Sequence, residues 1–283
     1  MAVQVGLLER IVAYSREDDR IFAVVLIGSH ARTGTPADVF SDLDLVLVVE
    51  DPKPFLVTDT WLEQIGTLRL SFTEPTIGGD VERRVVFDDA LDVDFLLLTK
   101  ATVEAALPDG SANALLSRGY RLLLDKAGYD WPMREPVSTA RYAIPSADTF
   151  VNLVQDFWFH AMWSTKKWLR GELWAAKNCV DGYMKSKLLW MIEQYEHTIH
   201  GPEYDTWFGG RFLDRWADDT VISGLKRSYA TYSETTLPSA LLATMELFRT
   251  LATHVSDAYS FPYPAAADKY SSDWVERRLR CES

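Results

Sequence analysis

Two short motifs near the N-terminus contain residue types that bind metal ions and phosphates. Gly28 and Ser29 end one apolar run, and Asp42 and Asp44 open another. Side chains on a strand alternate between its two faces, so these two aspartates point the same way. Two carboxylates held so close repel each other unless a cation lies between them. The pattern therefore predicts a site for Mg²⁺, which prefers carboxylate oxygens together with substrate phosphates.

A third carboxylate, that of Asp94, lies inside the apolar run 93–98. A lone aspartate in a buried strand is costly unless it is paired or bound to a metal. If that strand neighbours the one that opens at Asp42, then Asp42, Asp44 and Asp94 form a triad. Such a triad can hold two metal ions, one for an attacking hydroxyl and one for a triphosphate and its leaving group. Asp92 competes for the third position because it shares a face with Asp94, although it lies nearer the preceding turn.

The Gly28–Ser29 pair predicts a phosphate contact. Glycine allows close approach of the backbone to a phosphate. The Ser29 hydroxyl and nearby N–H groups can donate to phosphate oxygens, and Arg32 can add a charge-assisted contact. Gly-Ser and Asp-x-Asp are each common alone, but their order and the third aspartate together predict a metal-and-phosphate site.

Hydrophobic periodicity predicts the elements that position these residues. The strands expected in the first half are 22–27, 43–49, 68–72, 83–87, 93–98 and 120–124. The expected helices are 7–14, 59–65 (with Asp59 as N-cap) and 102–107, with turns at 51–54 and 88–91. This half is thus predicted to be a mixed α/β (α+β) domain.

The second half has a different pattern. The stretch 131–146 contains three prolines and little periodicity, which predicts a boundary between domains 1–135 and 136–283. Apolar residues then recur at helical spacing over 150–169, 173–195 and 241–255, which predicts a helical bundle. Six tryptophans lie between positions 158 and 207. Core packing is the favoured interpretation for them, and an aromatic wall for a nucleobase or sugar is the alternative.

Composition limits the class of protein. The net charge of the 283-residue chain is −12, which argues against a general nucleic-acid binder. No apolar run approaches the roughly 18–20 residues that span a membrane, so we expect a soluble cytoplasmic protein. An acidic cleft can concentrate a cationic small substrate, although the charge is equally consistent with simple solubility.

The motifs resemble those of the nucleotidyltransferase superfamily of DNA polymerase β type, which has Gly-Ser, a short spacer, Asp-x-Asp and a distant third aspartate. Within it, the chain is similar to the aminoglycoside 6-adenylyltransferases, also called streptomycin adenylyltransferases. The similar segments are 87–89 with 93–94, 123–126, 157–158, 170–173 and 188–192. His30 and Ala90 depart from the family pattern, which often has arginine and usually has glycine at those places.

The resemblance implies a polymerase β-like catalytic domain followed by a helical domain that closes over nucleotide and substrate. It also implies transfer of AMP from ATP-Mg to a hydroxyl of an aminoglycoside, streptomycin first, with release of pyrophosphate and inactivation of the drug. A glutamate accepts the hydroxyl proton in related antibiotic nucleotidyltransferases, and Glu172, after Gly171 at a helix start, is the candidate. The alternatives are a first-turn glutamate that complements the helix dipole, or Asp44 or a metal-bound alkoxide in the proton-transfer role.

Lys177, Asp181 and Lys185 follow one another at intervals of four residues. They predict either a solvated stripe of ion pairs or a lysine contact to the triphosphate, so Lys177 and Lys185 are candidate nucleotide ligands. We expect a monomer or weak homodimer. The rival functions are adenylyl transfer to another small hydroxyl compound or to a protein side chain, as in toxin–antitoxin systems, and nucleotide binding without turnover. The complete triad argues against the last.

Overall fold

The chain forms two compact units, Met1–Ser138 and Thr139–Ser283, in the computed structural model. The structure describes residues 2–32, 37–76, 81–116, 119–132 and 142–280. Within these ranges no helix is long and apolar enough to cross a membrane. The domain boundary predicted at 135–136 lies outside the described residues.

A six-stranded mixed sheet forms the centre of the first unit. Its strands are β1 (Ile21–Ile27), β2 (Leu43–Val49), β3 (Leu68–Pro75), β4 (Val81–Phe87), β5 (Leu91–Thr99) and β6 (Arg121–Asp125). The spatial order is β3-β4-β5-β2-β1-β6. β2 and β5 run parallel, whereas the other neighbouring pairs are antiparallel. The predicted mixed α/β class is confirmed.

Helices cover both faces of the central strands. They are α1 (Ala2–Glu17), α2 (Lys53–Val57), α3 (Lys100–Asp109) and α4 (Asn113–Leu116). Along β2, Leu45 and Leu47 belong to the core that includes α1, whereas Val46 and Val48 pack with residues of α3 and α4. Burial on both sides explains why β2 is apolar from Leu45 to Val49. Asp44 shares the face of Val46 and Val48, since side chains alternate along a strand.

Two predicted elements of this unit are wrong. α2 begins at Lys53, inside the stretch expected to be only a turn, because the preceding Pro52 has helical angles (φ −64°, ψ −27°). The helix expected at 59–65 is instead a series of turns, closed by bonds such as that from Leu62 N to Asp59 O at 2.9 Å. Asp59 does not cap a helix, because its carboxylate accepts hydrogen bonds from Ser71 and Arg83.

The turn predicted at 88–91 is present as a short 3₁₀ segment, Asp88–Ala90, between β4 and β5. Asp89 and Ala90 have φ values of 59° and 53°, in the left-handed region. Glycine adopts such angles without steric cost, which explains why alanine at position 90 is the less favourable residue there.

The second unit is helical in all its regular elements within residues 142–280. The helices are α5 (Ala147–Leu169), α6 (Leu173–Asn178), α7 (Met184–His200), α8 (Leu213–Trp216), α9 (Asp219–Arg227), α10 (Leu237–Tyr259) and α11 (Ala265–Arg280). A five-residue π-helical turn, Cys179–Tyr183, interrupts the segment expected to be one helix from 173 to 195. Periodicity did not reveal α11, because its buried residues include Asp268, Ser271 and Ser272.

Aromatic side chains fill much of the second core. The rings of Phe157 and Phe248 stack with centroids 3.6 Å apart. Trp158 is buried, and four of the other clustered tryptophans pack against the core, namely 163, 168, 190 and 207. Trp174 differs, with 69% of its surface exposed. Core packing thus accounts for five of the six tryptophans.

Candidate active site

Adjacent parallel strands bring the three predicted carboxylates together. Asp44 on β2 lies directly across from Asp94 on β5, and Asp42 precedes β2 by one residue. One carboxylate oxygen from each of Asp42, Asp44 and Asp94 lies within 4.8 Å of the others. The carboxylate oxygens of a group of this size and charge can coordinate a divalent cation. The two strands that carry Asp44 and Asp94 are therefore neighbours, as the predicted triad requires.

Asp94 is half-buried, and its surroundings disfavour a lone negative charge. Burial raises the pKa of Asp94 to about 6, Arg84 opposes the rise, and Asp42, Glu82 and Asp92 add to it. A bound cation would stabilise the ionised carboxylates, so the donor set fits a metal ion. Asp92, the competing residue, is exposed and is not part of the three-carboxylate group.

Gly28 lies directly against the triad. It has φ +65° and begins the short 3₁₀ segment Gly28–His30 at the end of β1. A Cβ at position 28 would lie 1.8 Å from Asp44 Oδ2, so a side chain here and the carboxylate cannot occupy the observed positions together. Glycine is thus required both by the backbone angle and by the carboxylate beside it.

Ser29 presents an unused hydroxyl next to this glycine. The residue is buried, and within the described part of the chain Ser29 Oγ has no hydrogen-bond partner. His30 Nε2 is in the same condition, and burial lowers the pKa of His30. A buried polar group without a partner costs about 1–3 kcal/mol. Arg32 completes the turn by donating its backbone N–H to Gly28 O at 3.2 Å. An oxygen-rich ligand such as phosphate would satisfy the Ser29 hydroxyl.

The sequence pattern did not predict that Arg84 belongs to this site. Arg84 on β4 lies directly across from Asp94, with 3.3 Å between Arg84 Nη1 and Asp94 Oδ2. The hairpin predicted between 83–87 and 93–98 indicates that residues of the first strand face residues of the second, because the two strands of a hairpin pair antiparallel about the turn. The exact register depends on the turn geometry, which the residue pattern did not define.

Glu172, the candidate base, lies in the second unit just before α6. Its carboxylate accepts hydrogen bonds from Lys167 Nζ at 2.6 Å and Arg170 Nε at 2.9 Å. The hydrogen bond from Lys167 holds the pKa of Glu172 below its usual range. The side chain makes no capping hydrogen bond to the helix. Glu172 is therefore ionised at neutral pH and is held by two cations of its own unit.

The two candidate lysines of the second unit have different surroundings. Lys177 forms an ion pair with Asp181 and donates to Ala230 O at 2.6 Å. Lys185 is buried, and its Nζ donates to Ser228 O and Thr244 Oγ1, both at 2.8 Å. Burial lowers the pKa of Lys185 to about 8. The solvated-stripe interpretation is wrong for Lys185, because the residue lies in the core.

The chain is similar to several known proteins. A family model described as streptomycin adenylyltransferase matches residues 1–278. An aminoglycoside 6-adenylyltransferase of Bacillus subtilis (strain 168) is 23% identical over 264 residues, 89% of each chain. One of Campylobacter jejuni is 23% identical over 280 residues, 95% of this chain and 94% of the relative. The crystal structure of an aminoglycoside 6-adenyltransferase from Bacillus subtilis covers 96% of this chain and 97% of that chain, with 20% identity and a TM-score of 0.47.

Proposed function

This chain belongs to the streptomycin adenylyltransferase family of nucleotidyltransferases, and we propose that it transfers AMP from ATP to a hydroxyl of an aminoglycoside, with streptomycin as the first candidate. The observation that supports this most is the group formed by Asp42, Asp44 and Asp94. In the reaction, the acceptor oxygen bonds to the α-phosphorus as the bond to the β-phosphate bridge breaks. Pyrophosphate leaves, and the hydroxyl proton passes to a base.

The first unit supplies the groups for the nucleotide. Asp42, Asp44 and Asp94 would hold Mg²⁺, which when bound supplies positive charge to the triphosphate and lowers the pKa of the acceptor hydroxyl. Gly28 leaves room for the Asp44 carboxylate, and the Ser29 hydroxyl donates to a phosphate oxygen. Arg32, at the end of the same turn, adds a positive charge.

The second unit supplies the remaining candidates. We assign Glu172 as the base from the resemblance to related antibiotic nucleotidyltransferases, in which a glutamate accepts the hydroxyl proton. Lys177 is assigned to the triphosphate. Lys185 is assigned a supporting role because, unlike the partly exposed Lys177, it is buried and its ammonium donates to oxygens of the core. The net charge of −12 favours a polycationic acceptor over an anionic one.

The test is pyrophosphate release with ATP-Mg and a panel of aminoglycosides, streptomycin first. We expect release that depends on both ATP-Mg and one panel member, and none from the variant Asp44→Ala. Nucleotide binding is measured separately on the same samples. Intact binding without release across the panel would instead favour another hydroxyl compound or a protein side chain as acceptor.

A further inference from the structure

Arg84 lies on the face of the sheet that holds the triad. Cross-strand pairing places Asp44, Asp94, Arg84 and Phe72 in one row across β2, β5, β4 and β3. Side chains in such a row project to the same side of the sheet. The guanidinium of Arg84 is therefore next to the carboxylates that are proposed to bind the metal.

Two further carboxylates fix the Arg84 side chain in this place. Arg84 Nε lies 2.8 Å from Glu82 Oε1 and 3.0 Å from Glu74 Oε2, while its Nη1 faces Asp94 Oδ2 at 3.3 Å. Contacts to three acidic groups on three strands hold the guanidinium more firmly than a single surface ion pair would. The positive charge is thus a permanent part of the site.

This charge has opposite effects in the two states of the site. Without a divalent ion, it offsets the mutual repulsion of Asp94, Asp42 and the neighbouring carboxylates. With a divalent ion among the same oxygens, it repels that ion across a short distance. The fixed cation therefore favours the metal-free site at the expense of the metal-bound one.

We propose that Arg84 is the resident counter-cation of the metal site and lowers its intrinsic affinity for a divalent ion. The site on its own then binds the ion weakly, and the triphosphate supplies the negative charge that completes it. The inference rests on the proposed role of Asp42, Asp44 and Asp94 as metal ligands. In this proposal Arg84 lowers the affinity of the site for the metal ion and does not contact the substrate.

The experiment measures Mn²⁺ binding by calorimetry in the absence of nucleotide. Wild type is compared with Arg84→Gln, which removes the charge, and with Arg84→Lys, which retains it. Arg69→Gln is the matched control, because Arg69 lies on β3 and pairs with Asp88 in an exposed salt bridge at 2.8 Å. Asp94→Asn reports whether the carboxylates bind the ion at all.

We expect Arg84→Gln to bind Mn²⁺ about tenfold more tightly than wild type, the scale expected for one fixed charge beside a divalent ion. Arg84→Lys and Arg69→Gln should stay within about twofold of wild type. In metal-free buffer, Arg84→Gln should have a lower Tm than wild type. Mn²⁺ should raise the Tm of Arg84→Gln by more than it raises the Tm of wild type.

Several outcomes would overturn the proposal. Unchanged or weaker binding by Arg84→Gln would refute it while leaving the metal site intact. Equal tightening in the Arg84→Lys variant would show that charge is not the cause. An Arg84→Gln protein that does not fold even with saturating Mn²⁺ would also contradict it, because the ion should replace the missing charge. Equal binding by wild type and Asp94→Asn would refute the metal site together with the role of Arg84.

Discussion

The Cβ position of residue 28 lies 1.8 Å from Asp44 Oδ2, so Gly28 and the Asp44 carboxylate occupy one shared space. The end of β1 and the opening of β2 are therefore coupled. Any side chain at position 28 must displace the carboxylate that is proposed to bind metal.

Gly28→Ala is expected to impair both stability and transfer. The left-handed angle alone costs roughly 1–2 kcal/mol in an alanine, and the clash with Asp44 adds to it. Gly128→Ala is the control, because Gly128 has φ +72° and nothing within 4 Å of its Cβ position. Denaturant unfolding and pyrophosphate release should show a larger loss in Gly28→Ala, with transfer reduced at least tenfold. Equal behaviour of the two variants would rule out the coupling.

Ser29→Ala is expected to separate stability from function. Removal of a buried hydroxyl without a partner should leave the free energy of unfolding unchanged or raise it by up to about 1 kcal/mol. The KM for ATP should rise about tenfold, the scale of one lost hydrogen bond to a charged phosphate. Ser15→Ala is the control, because Ser15 Oγ is also buried and without a partner among the described residues. The proposed phosphate contact fails if both variants keep the wild-type KM.

Asp94→Asn should reduce turnover at least ~10²-fold, because a metal ligand contributes several kcal/mol of transition-state stabilisation. Asp92→Asn, on the same strand face but exposed, should stay within about threefold of wild type, as surface changes have small effects. Steady-state kinetics with saturating Mg²⁺ compares them directly. A larger loss in Asp92→Asn would transfer the third-ligand role to Asp92. Chelation of the metal should abolish activity of the wild type.

If Glu172 takes up the proton of the aminoglycoside hydroxyl, Glu172→Gln should lower turnover about 10²-fold, the usual scale for a general base. Lys167→Gln breaks the 2.6 Å ion pair with Glu172 but keeps the carboxylate. Turnover of Lys167→Gln should therefore stay near that of wild type. Equal rates in wild type and Glu172→Gln would remove Glu172 from the mechanism.

Glu193 predicts a pH dependence of stability. Burial raises the pKa of Glu193 to about 7 from 4.5, so its charge is less favourable in the folded state. Its contribution to stability is complete below pH 4.5 and is lost as the pH rises through about 7. The free energy of unfolding of Glu193→Gln should therefore match that of wild type near pH 4.5 and exceed it by about 1–3 kcal/mol at pH 8.

Urea unfolding at the two pH values measures this difference. Glu203→Gln, at an exposed position of the same unit, is the control and should show no such gain. A constant difference between Glu193→Gln and wild type at both pH values would contradict the assignment.

Local signals were sufficient for the strands that hold the triad. β1 and β2 are short apolar runs because both their faces are buried, and Asp42 and Asp44 open β2 where the run begins. Asp94 was conspicuous because it interrupts an otherwise apolar strand. Local signals failed at 59–65, where Asp59 pairs with Arg83, a residue 24 positions away. They also failed at α11, which buries serines and an aspartate.

The sequence alone determined the mixed α/β class of the first unit, the helical second unit and the identity of the three carboxylates, because burial and alternation are properties of neighbouring residues. Only the tertiary structure decided which residues meet across strands. The pairing of β4 with β5 places Arg84 against Asp94, and the end of β1 against β2 places Gly28 against Asp44. The core of the second unit encloses Lys185. Such contacts depend on strand register and helix packing, which join residues far apart in the chain and leave no periodic trace in its sequence.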